Sequence, residues 1–453
     1  MTRRHVGRVL GFTAAIGALI AVSVFAGQAP TASDAQHNEE HRHYDGPTVT
    51  LADLIQEALT SNPELAALRQ QTDAARQRPA QERALNPPMA EATIWQWPIN
   101  TLNPANTNMY MFMLTQDLPG RGKRDLRAAV ADKDTALAEI DVALRARQIV
   151  NEIKQAYASL FVARKAVDVH FASVDLLRQI ADVAQAKYAT GRISQQDVLK
   201  PVLELSKLHT DIVMFDEQAN IATARLDILL DRAPDTPFGP LVEPSEETLL
   251  STTADLQRLA IDRQPELHRA HVEIERAETE LAVAQREHKP DFSVQGGYMV
   301  VPNQTDALLA RVGMTWPNAP WSRGKIDAHV AELTSAVSAA KVRERAMGNS
   351  VRLAVQEAYL HARSAQDRAA LLRTTILPQS QQTFEVSRIA YQTDRADFQS
   401  LLDNERTLLD AQLEYFRALS EFQQATADLE RAIGTDLPAG TTATVAAMEG
   451  GVR

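Results

Sequence analysis

A run of 68 residues without glycine or proline, Lys123 to Thr190, most constrains what this chain can fold into. Because those two residues break helices most readily, the run predicts one helix roughly 100 Å long. Apolar residues recur along it every seven positions, at Ile153, Leu160, Val167, Val174, Ala181 and Tyr188. Heptad spacing is typical of helices that pack side by side, so we expect coiled-coil-like packing.

The run ends in the segment YATGRISQQDVL, residues 188–199, and a similar segment, YQTDRADFQSLL, occupies residues 391–402. Other segments recur about 202 positions apart, such as ADL at 52–54 and 254–256, and RGK at 121–123 and 323–325. A constant separation predicts two tandem copies of one unit. We place copy one at 48–233, copy two at 252–435 and a Pro-rich linker at 234–251.

Each copy is expected to hold the same elements in the same order. The first helix should begin beside Thr50 or Thr253, each followed by an aspartate, and run to Pro88 or Pro290. The long helix and a returning helix follow. In copy two, Gly348 and Pro378 predict that the long helix bends or stops at the proline. In copy one, Pro201 falls just inside the returning helix.

Between the first and the long helix of each copy lie two segments of about ten residues, which is enough for a tilted strand across a bilayer. They occupy residues 91–100, 108–119, 291–302 and 306–317. All four tryptophans, Trp95, Trp97, Trp316 and Trp321, lie in or beside them, as in the aromatic belts of membrane proteins. The alternative is a soluble four-stranded sheet with buried tryptophans. In lipid, four strands alone would leave unpaired edges, whereas three copies would supply twelve strands.

The ends of the chain have their own signatures. Residues 1–26 combine three arginines with an apolar run and a small-residue ending, which predicts a secretory signal peptide. Residues 27–47 are interpreted as a flexible lead-in, whose His37, His41 and His43 we expect to be solvated rather than metal-bound. Residues 436–453 are interpreted as a C-terminal tail.

Composition excludes several classes of function. The net charge of −11, without a basic stripe, argues against nucleic acid. The chain has no cysteine, so it has no disulfide, thiolate metal site or lipid-attachment site. No catalytic or phosphate-binding motif is present, so we expect neither an enzyme nor a bound cofactor or metal. His268 and His271 share a helix face that we expect to be solvated.

Together, these segments resemble the TolC-like outer-membrane efflux proteins over about residues 48–438. The resemblance is carried by TLADLIQEALTSNPEL at 50–65, QDLPGRGKRDLR at 116–127 and the two break segments. It implies a mainly α fold with a small β part, in which a homotrimer forms a twelve-stranded β-barrel continued by a periplasmic α-helical barrel. Such a trimer would sit in the outer-membrane lipid of a Gram-negative bacterium. It would be the passive exit duct for metal ions or drugs delivered by a periplasmic adaptor and an inner-membrane pump, expected to be of the resistance-nodulation-division type.

The resemblance also implies a role for the two break segments. They would turn the chain at the far end of the tunnel, where the channel closes and the adaptor binds. The residues expected there are Tyr188, Gly191, Arg192, Asp197, Tyr391, Asp394, Arg395 and Asp403. Tyr391 and Asp403 would help to close the aperture, Asp403 as part of an acidic ring. The alternative is that these are ordinary capping and solvated residues. Asp394 departs from the pattern, because it stands where copy one has Gly191.

Two questions stay open at this point. Met109, Met111 and Met113 would share one face of a strand in a segment similar to those of heavy-metal members, and thioethers suit copper(I) or silver(I). We favour the interpretation that they merely fill apolar space. A secreted or periplasmic coiled-coil scaffold without a pore would also explain the heptads, although not four strands that carry every tryptophan.

Overall fold

The computed structural model describes residues 46–97, 99–100, 103–243, 247–302, 304–437 and 442–444. The predicted signal peptide, nearly all of the lead-in with its three histidines, and most of the tail lie outside these residues. The described chain is mainly helical, with a four-stranded and a two-stranded antiparallel sheet. Among the described residues, no helix combines the length and the apolar composition needed to cross a membrane.

Among its described residues, the first half contains five α-helices and two strands. In chain order they are α1 (Leu51–Ser61), α2 (Pro63–Ala75), α3 (Arg78–Arg83), β1 (Met89–Trp95), β2 (Met109–Leu118), α4 (Lys123–Ala189) and α5 (Gln195–Leu229). Thus α4 covers almost the whole run without glycine or proline. Strand β1 is shorter than the segment predicted for it, because Gln96 takes a left-handed backbone conformation directly after Trp95.

The second half repeats this order with small changes. Its elements are β3 (Glu247–Leu249), α6 (Thr253–Arg263), α7 (Pro265–Arg286), β4 (Phe292–Val300), β5 (Ala307–Met314), α8 (Arg323–Leu371), α9 (Leu377–Gln392), α10 (Phe398–Ile433) and β6 (Thr442–Thr444). Strands β3 and β6 pair with each other, apart from the main sheet.

The opening helices differ from prediction in two ways. Their N-caps are Thr50 and Thr252, each accepting a hydrogen bond from the amide three residues later, so Thr253 is the first helical residue of copy two and not its cap. Neither opening helix runs unbroken to the proline before the strands. Pro63 and Pro265 each begin a new helix, because proline has no amide hydrogen to offer and is tolerated only in a first turn.

Helix α4 keeps the predicted heptad seam for only part of its length. Ile153, Leu160, Val167 and Val174 are all buried. Further on, Ala181 is half-buried and Tyr188 is 46% exposed, while the buried positions become Leu177, Ile180 and Ala184. A helix with 3.6 residues per turn drifts from a seven-residue repeat, which moves the seam around the helix.

The long helix of copy two does not stop at Pro378. Instead, a single π-helical turn at Leu372–Ile376 joins α8 to α9, and the helix continues to Gln392. The amide of Leu377 donates to the carbonyl of Leu372, five residues back. Widening the turn is a known way to fit a proline, which lacks an amide and crowds the preceding turn. Pro201 and Gly348 likewise lie inside continuous helices.

The long helices lie side by side in a fixed order. Helix α4 packs against α5 and α10, and α10 packs in turn against α8 and α9. The main sheet has the order β1-β2-β4-β5. The sheet and the group of long helices each have one edge formed by copy one and one edge formed by copy two. The copy-one edges are β1 and α5. The copy-two edges are β5 and the pair α8 and α9.

The helices at these edges expose apolar side chains. On α5 they are Leu199, Val202, Leu203, Val213, Met214, Ile221 and Ile228, and on α8 and α9 they are Val342, Leu353, Leu360, Leu371, Val386 and Ile389. Apolar surface on this scale usually marks a site of association.

The core between α4 and α10 contains a buried carboxyl group. Glu405 of α10 is 2% exposed, and its Oε1 has no hydrogen-bond partner among the described residues. Burial raises the pKa of Glu405 to about 7, although a hydrogen bond with Ser173 of α4 and the charge of Arg406 oppose this. The negative charges of Glu204 and Asp410 raise the pKa further.

We predict that Glu405→Gln stabilises the protein at alkaline pH. Since the folded pKa of Glu405 lies above its ordinary value, the carboxyl favours folding at low pH, and this contribution is lost as the pH rises through 7. A shift of this size corresponds to ~3 kcal/mol for the ionised group. Thermal unfolding followed by circular dichroism in detergent should show a higher Tm for Glu405→Gln at pH 8 and a smaller gain at pH 6.

Glu414→Gln is the matched control, because Glu414 lies on the same helix with an exposed side chain. It should change Tm little at either pH. If the Tm gain of Glu405→Gln at pH 8 is no larger than its gain at pH 6, burial does not keep the Glu405 carboxyl neutral.

Candidate functional site

Both break segments form the same kind of helix ending. After α4, the amide of Arg192 donates to the carbonyl of Lys187 at 3.0 Å, and Gly191 has a φ of +70°. After α9, the amide of Arg395 donates to the carbonyl of Ala390 at 2.8 Å, and Asp394 has a φ of +58°. This is the Schellman pattern, which needs a left-handed residue just past the helix. Aspartate is one of the few residues other than glycine that take this conformation.

Each returning helix is capped by the residue just before its first turn. Asp397 precedes α10, and its carboxylate accepts from the amide of Ser400 at 2.9 Å. Ser194 precedes α5, where the carboxylate of Asp197 accepts from the amide of Ser194 at 3.2 Å and from its hydroxyl at 2.9 Å. Hydrogen bonds of this kind fix where a helix begins. Asp197 therefore has a structural task in addition to any role at the aperture.

Asp394 joins the two turns electrostatically. Its carboxylate lies 2.6 Å from the Nζ of Lys187 and 3.4 Å from the Nη1 of Arg192, both from copy one. The hydrogen bond and the charge of Lys187 hold the pKa of Asp394 below its ordinary value. Lys187 also donates to the backbone carbonyl of Tyr391. Asp394, which replaces the glycine of copy one, thus connects copy two to copy one.

Tyr391 and Tyr188 occupy matching positions in different surroundings. Tyr391 is 3% exposed and packs edge-to-face on Phe398, with ring centroids 5.9 Å apart. The Nζ of Lys187 lies 4.1 Å from the centroid of the Tyr391 ring, within cation–π range. Burial raises the pKa of Tyr391, and its hydroxyl has no hydrogen-bond partner among the described residues. Tyr188, by contrast, is largely exposed.

The other two predicted tip residues are exposed. The carboxylate of Asp403 accepts a hydrogen bond from the side-chain Nε2 of Gln399 at 2.8 Å and lies 4.0 Å from the Nη1 of Arg406. Gln399 in turn accepts from Lys200 of the other copy at 2.7 Å. The Arg395 side chain forms no ion pair within the described part of the chain. Whether three Asp403 residues form an acidic ring stays a prediction, since that arrangement needs three chains.

The second notable surface is the main sheet, whose two faces differ in chemistry. Residues opposite each other in the register share a face. One face is apolar in all but Gln116 and carries Ala90, Ala92, Ile94, Tyr110, Phe112, Leu114, Phe292, Val294, Tyr298, Leu308, Val312 and Met314. None of the described residues covers it; Leu308 is 84% exposed and Val312 is 74% exposed. The opposite face includes Glu91, Thr93, Thr115, Gln295 and Arg311.

The tryptophans lie at the two ends of this sheet. Trp95 and Trp97 are at the end of the hairpin turns, and Trp316 and Trp321 are at the end that leads into the helices. None is buried; the least exposed, Trp97, is 45% exposed. The alternative of a sheet with buried tryptophans is therefore not what the chain shows. By register Trp95 lies opposite Met109, on the more polar face, and a belt role for all four stays a prediction.

Sequence reasoning missed two contributors. Lys187 touches both Asp394 and Tyr391, yet a lone lysine in a long helix carries no pattern that would single it out. Met299 lies directly across from Met111, and this pairing depends on the register between strands from different copies.

Comparison with known proteins gives a consistent result. Residues 54–231 match the outer membrane efflux protein family. The cobalt-zinc-cadmium resistance protein CzcC of Cupriavidus metallidurans is 23% identical over 319 residues, which are 69% of this chain and 74% of that protein. The crystal structure of VceC from Vibrio cholerae has a TM-score of 0.71 at 18% identity, covering 86% of this chain and 97% of VceC. CusC has a TM-score of 0.73 at 16% identity, covering 87% and 96%. The chain is thus similar to the outer membrane efflux proteins in sequence over residues 54–231 and in fold over most of its length.

Proposed function

We propose that this protein is the outer-membrane channel of a tripartite efflux pump and acts as a passive, trimeric exit duct. The observation that carries the proposal is the main sheet, which presents an uncovered apolar face and leads directly into helices long enough to extend far from a membrane. An apolar face of this extent is costly in water and stable against lipid. The more polar face would then line the pore.

Closure of the pore requires more than one chain. The edge strands β1 and β5 each have one unpaired row of backbone groups, which lipid cannot satisfy. In a cyclic assembly, β1 of one chain would pair with β5 of the next, and the apolar residues of α5 would pack on α8 and α9 of the next. One rotation that relates each chain to the next would cover both the sheet edge and the helix edge, and repeating it would give a closed ring. Three chains would supply twelve strands, above the minimum for a barrel.

A scaffold without a pore explains fewer of these features. It would account for the long packed helices, but it gives no reason for an uncovered apolar sheet face. An enzymatic role finds no support either, because the family consists of channel proteins.

The partners and the cargo follow from the family and from its named relatives. Members of the family work with a periplasmic adaptor and an inner-membrane pump, and we propose the same arrangement here, with a pump of the resistance-nodulation-division type. The relative CzcC is named for resistance to cobalt, zinc and cadmium, which favours metal ions as cargo. Drugs remain the second candidate, because the channel itself need not select what the pump delivers.

The tip of the helices is the proposed gate and adaptor contact. Lys187 and Arg192 of copy one hold Asp394 of copy two, so the two hairpins lie together in this state. The Asp394 carboxylate is about half exposed, and ion pairs that solvent reaches are individually weak, which suits a contact that must release. We propose that opening separates the copy-two hairpin from copy one and exposes Tyr391. Tyr188, Gly191, Arg395, Asp197 and Asp403 would border the same aperture.

The first test concerns assembly. Purified outer membranes should contain a species that chemical cross-linking traps as a trimer, because the edge strands and edge helices need neighbours. The same preparation should form ion-conducting pores in planar bilayers. As a control, the cross-linking is repeated after full denaturation, which should leave only monomers. Finding only monomers in native membranes would contradict the proposed architecture.

The second test concerns the gate. Asp394→Asn should raise the resting single-channel conductance, because asparagine tolerates the left-handed turn but cannot attract Lys187 and Arg192. Asp182→Asn is the matched control, since Asp182 is an exposed carboxylate of α4 just before the tip. If Asp394→Asn and Asp182→Asn both conduct like the wild type, the ion pairs at Asp394 do not hold the tip closed.

A further inference from the structure

Five methionines lie on one face of the main sheet, and all but Met89 lie close together. Met109, Met111 and Met113 alternate along β2, and Met299 of β4 lies directly opposite Met111. The register places all five on the face that also carries Glu91 and Gln295, not on the apolar face. A lipid-facing role therefore does not explain them.

The packing of Met113 shows that the sheet makes room for a thioether here. Met113 is 9% exposed and lies across from Gly297. A Cβ atom added to Gly297 would come within 2.3 Å of the Sδ of Met113, so the sulfur occupies the space that any other side chain at position 297 would need. Met111 and Met299, by comparison, are half-buried and accessible from the polar face.

The surroundings of these methionines are not those of an apolar core. The direct neighbours of Met111 and Met113 on β1 are Thr93 and Glu91. Leucine or valine would fill apolar space equally well, whereas methionine adds a soft sulfur ligand on a flexible stem. Side chains directly opposite in a sheet have Cβ atoms roughly 5 Å apart, so the sulfurs of Met111 and Met299 can reach one ion between them. This reverses the apolar interpretation that we favoured from the sequence.

We propose that Met111, Met113 and Met299 form a binding site for a soft monovalent metal ion, copper(I) or silver(I), on the pore-lining face of the sheet. Thioether sulfur is a ligand that selects such ions over hard cations. The proposal rests on the proposed function in one respect, because the polar face lines a pore only if the chain forms a channel. In a trimer, three such sites would surround the exit path.

The test measures silver binding to the full-length protein purified in detergent, so it does not depend on export. Isothermal titration with Ag⁺, followed by desalting and elemental analysis, should show one retained Ag⁺ per chain in the wild type. Met111→Leu with Met299→Leu should abolish this retention, since leucine keeps the volume but removes the sulfur. Met314→Leu is the matched control, because Met314 belongs to the same sheet but to its apolar face, and it should bind Ag⁺ like the wild type.

Equal Ag⁺ retention by the wild type and the double variant would overturn the site, as would no retention by the wild type. Single-channel recordings of the same samples separate this result from the proposed function. Pores of unchanged open conductance in the double variant, together with lost Ag⁺ retention, support the site and leave the channel intact. Silver binding without any pore would instead reject the channel while keeping the thioether site.

Discussion

The unpaired edges of one four-stranded sheet are the constraint on which the rest of the structure depends. The sheet has an apolar face that no other part of the described chain covers, and we propose that this face lies in lipid. Lipid offers no hydrogen-bond partners, however, and the backbone groups at the free edges of β1 and β5 must find them elsewhere. Other copies of the same chain are the natural source. The helices also need neighbours, because the outermost helices expose apolar side chains at the same two edges.

The two copies share a backbone design but not the side chains at the tip. Both turns close with the same hydrogen bonds and both contain a left-handed residue. Glycine fills that position in copy one, whereas copy two uses Asp394, whose carboxylate reaches Lys187 and Arg192. The duplication thus preserved the geometry of the turn and allowed a contact between copies. The contact of Asp394 with Lys187 and Arg192 holds the two hairpins of one chain together. In the proposed trimer, this contact would set how far each hairpin projects into the aperture.

Much of this architecture could be predicted from the sequence, and the failures have physical causes. The extent of α4 followed from the lack of glycine and proline, and the turns followed from the repeat. The prediction that the helix bends or stops at Pro378 was wrong, because a π-helical turn accommodates the proline without ending the helix. Tyr188 and Tyr391 looked equivalent because matching positions in the repeat do not reveal that only Tyr391 is buried, against Phe398 and Lys187. Met299 could not be linked to Met111 because strand register between copies depends on long-range pairing.

The most direct test of the account is the accessibility of alternate residues along β4 in a lipid bilayer. The chain has no cysteine, so single cysteines can be introduced one at a time. We predict that a water-soluble maleimide labels Ser293→Cys and Gln295→Cys, which face the pore, but not Val294→Cys or Tyr298→Cys, which face lipid. All four should react after denaturation. If Val294→Cys and Tyr298→Cys label in the bilayer as fast as the other two, the apolar face is not in lipid and the channel architecture is wrong.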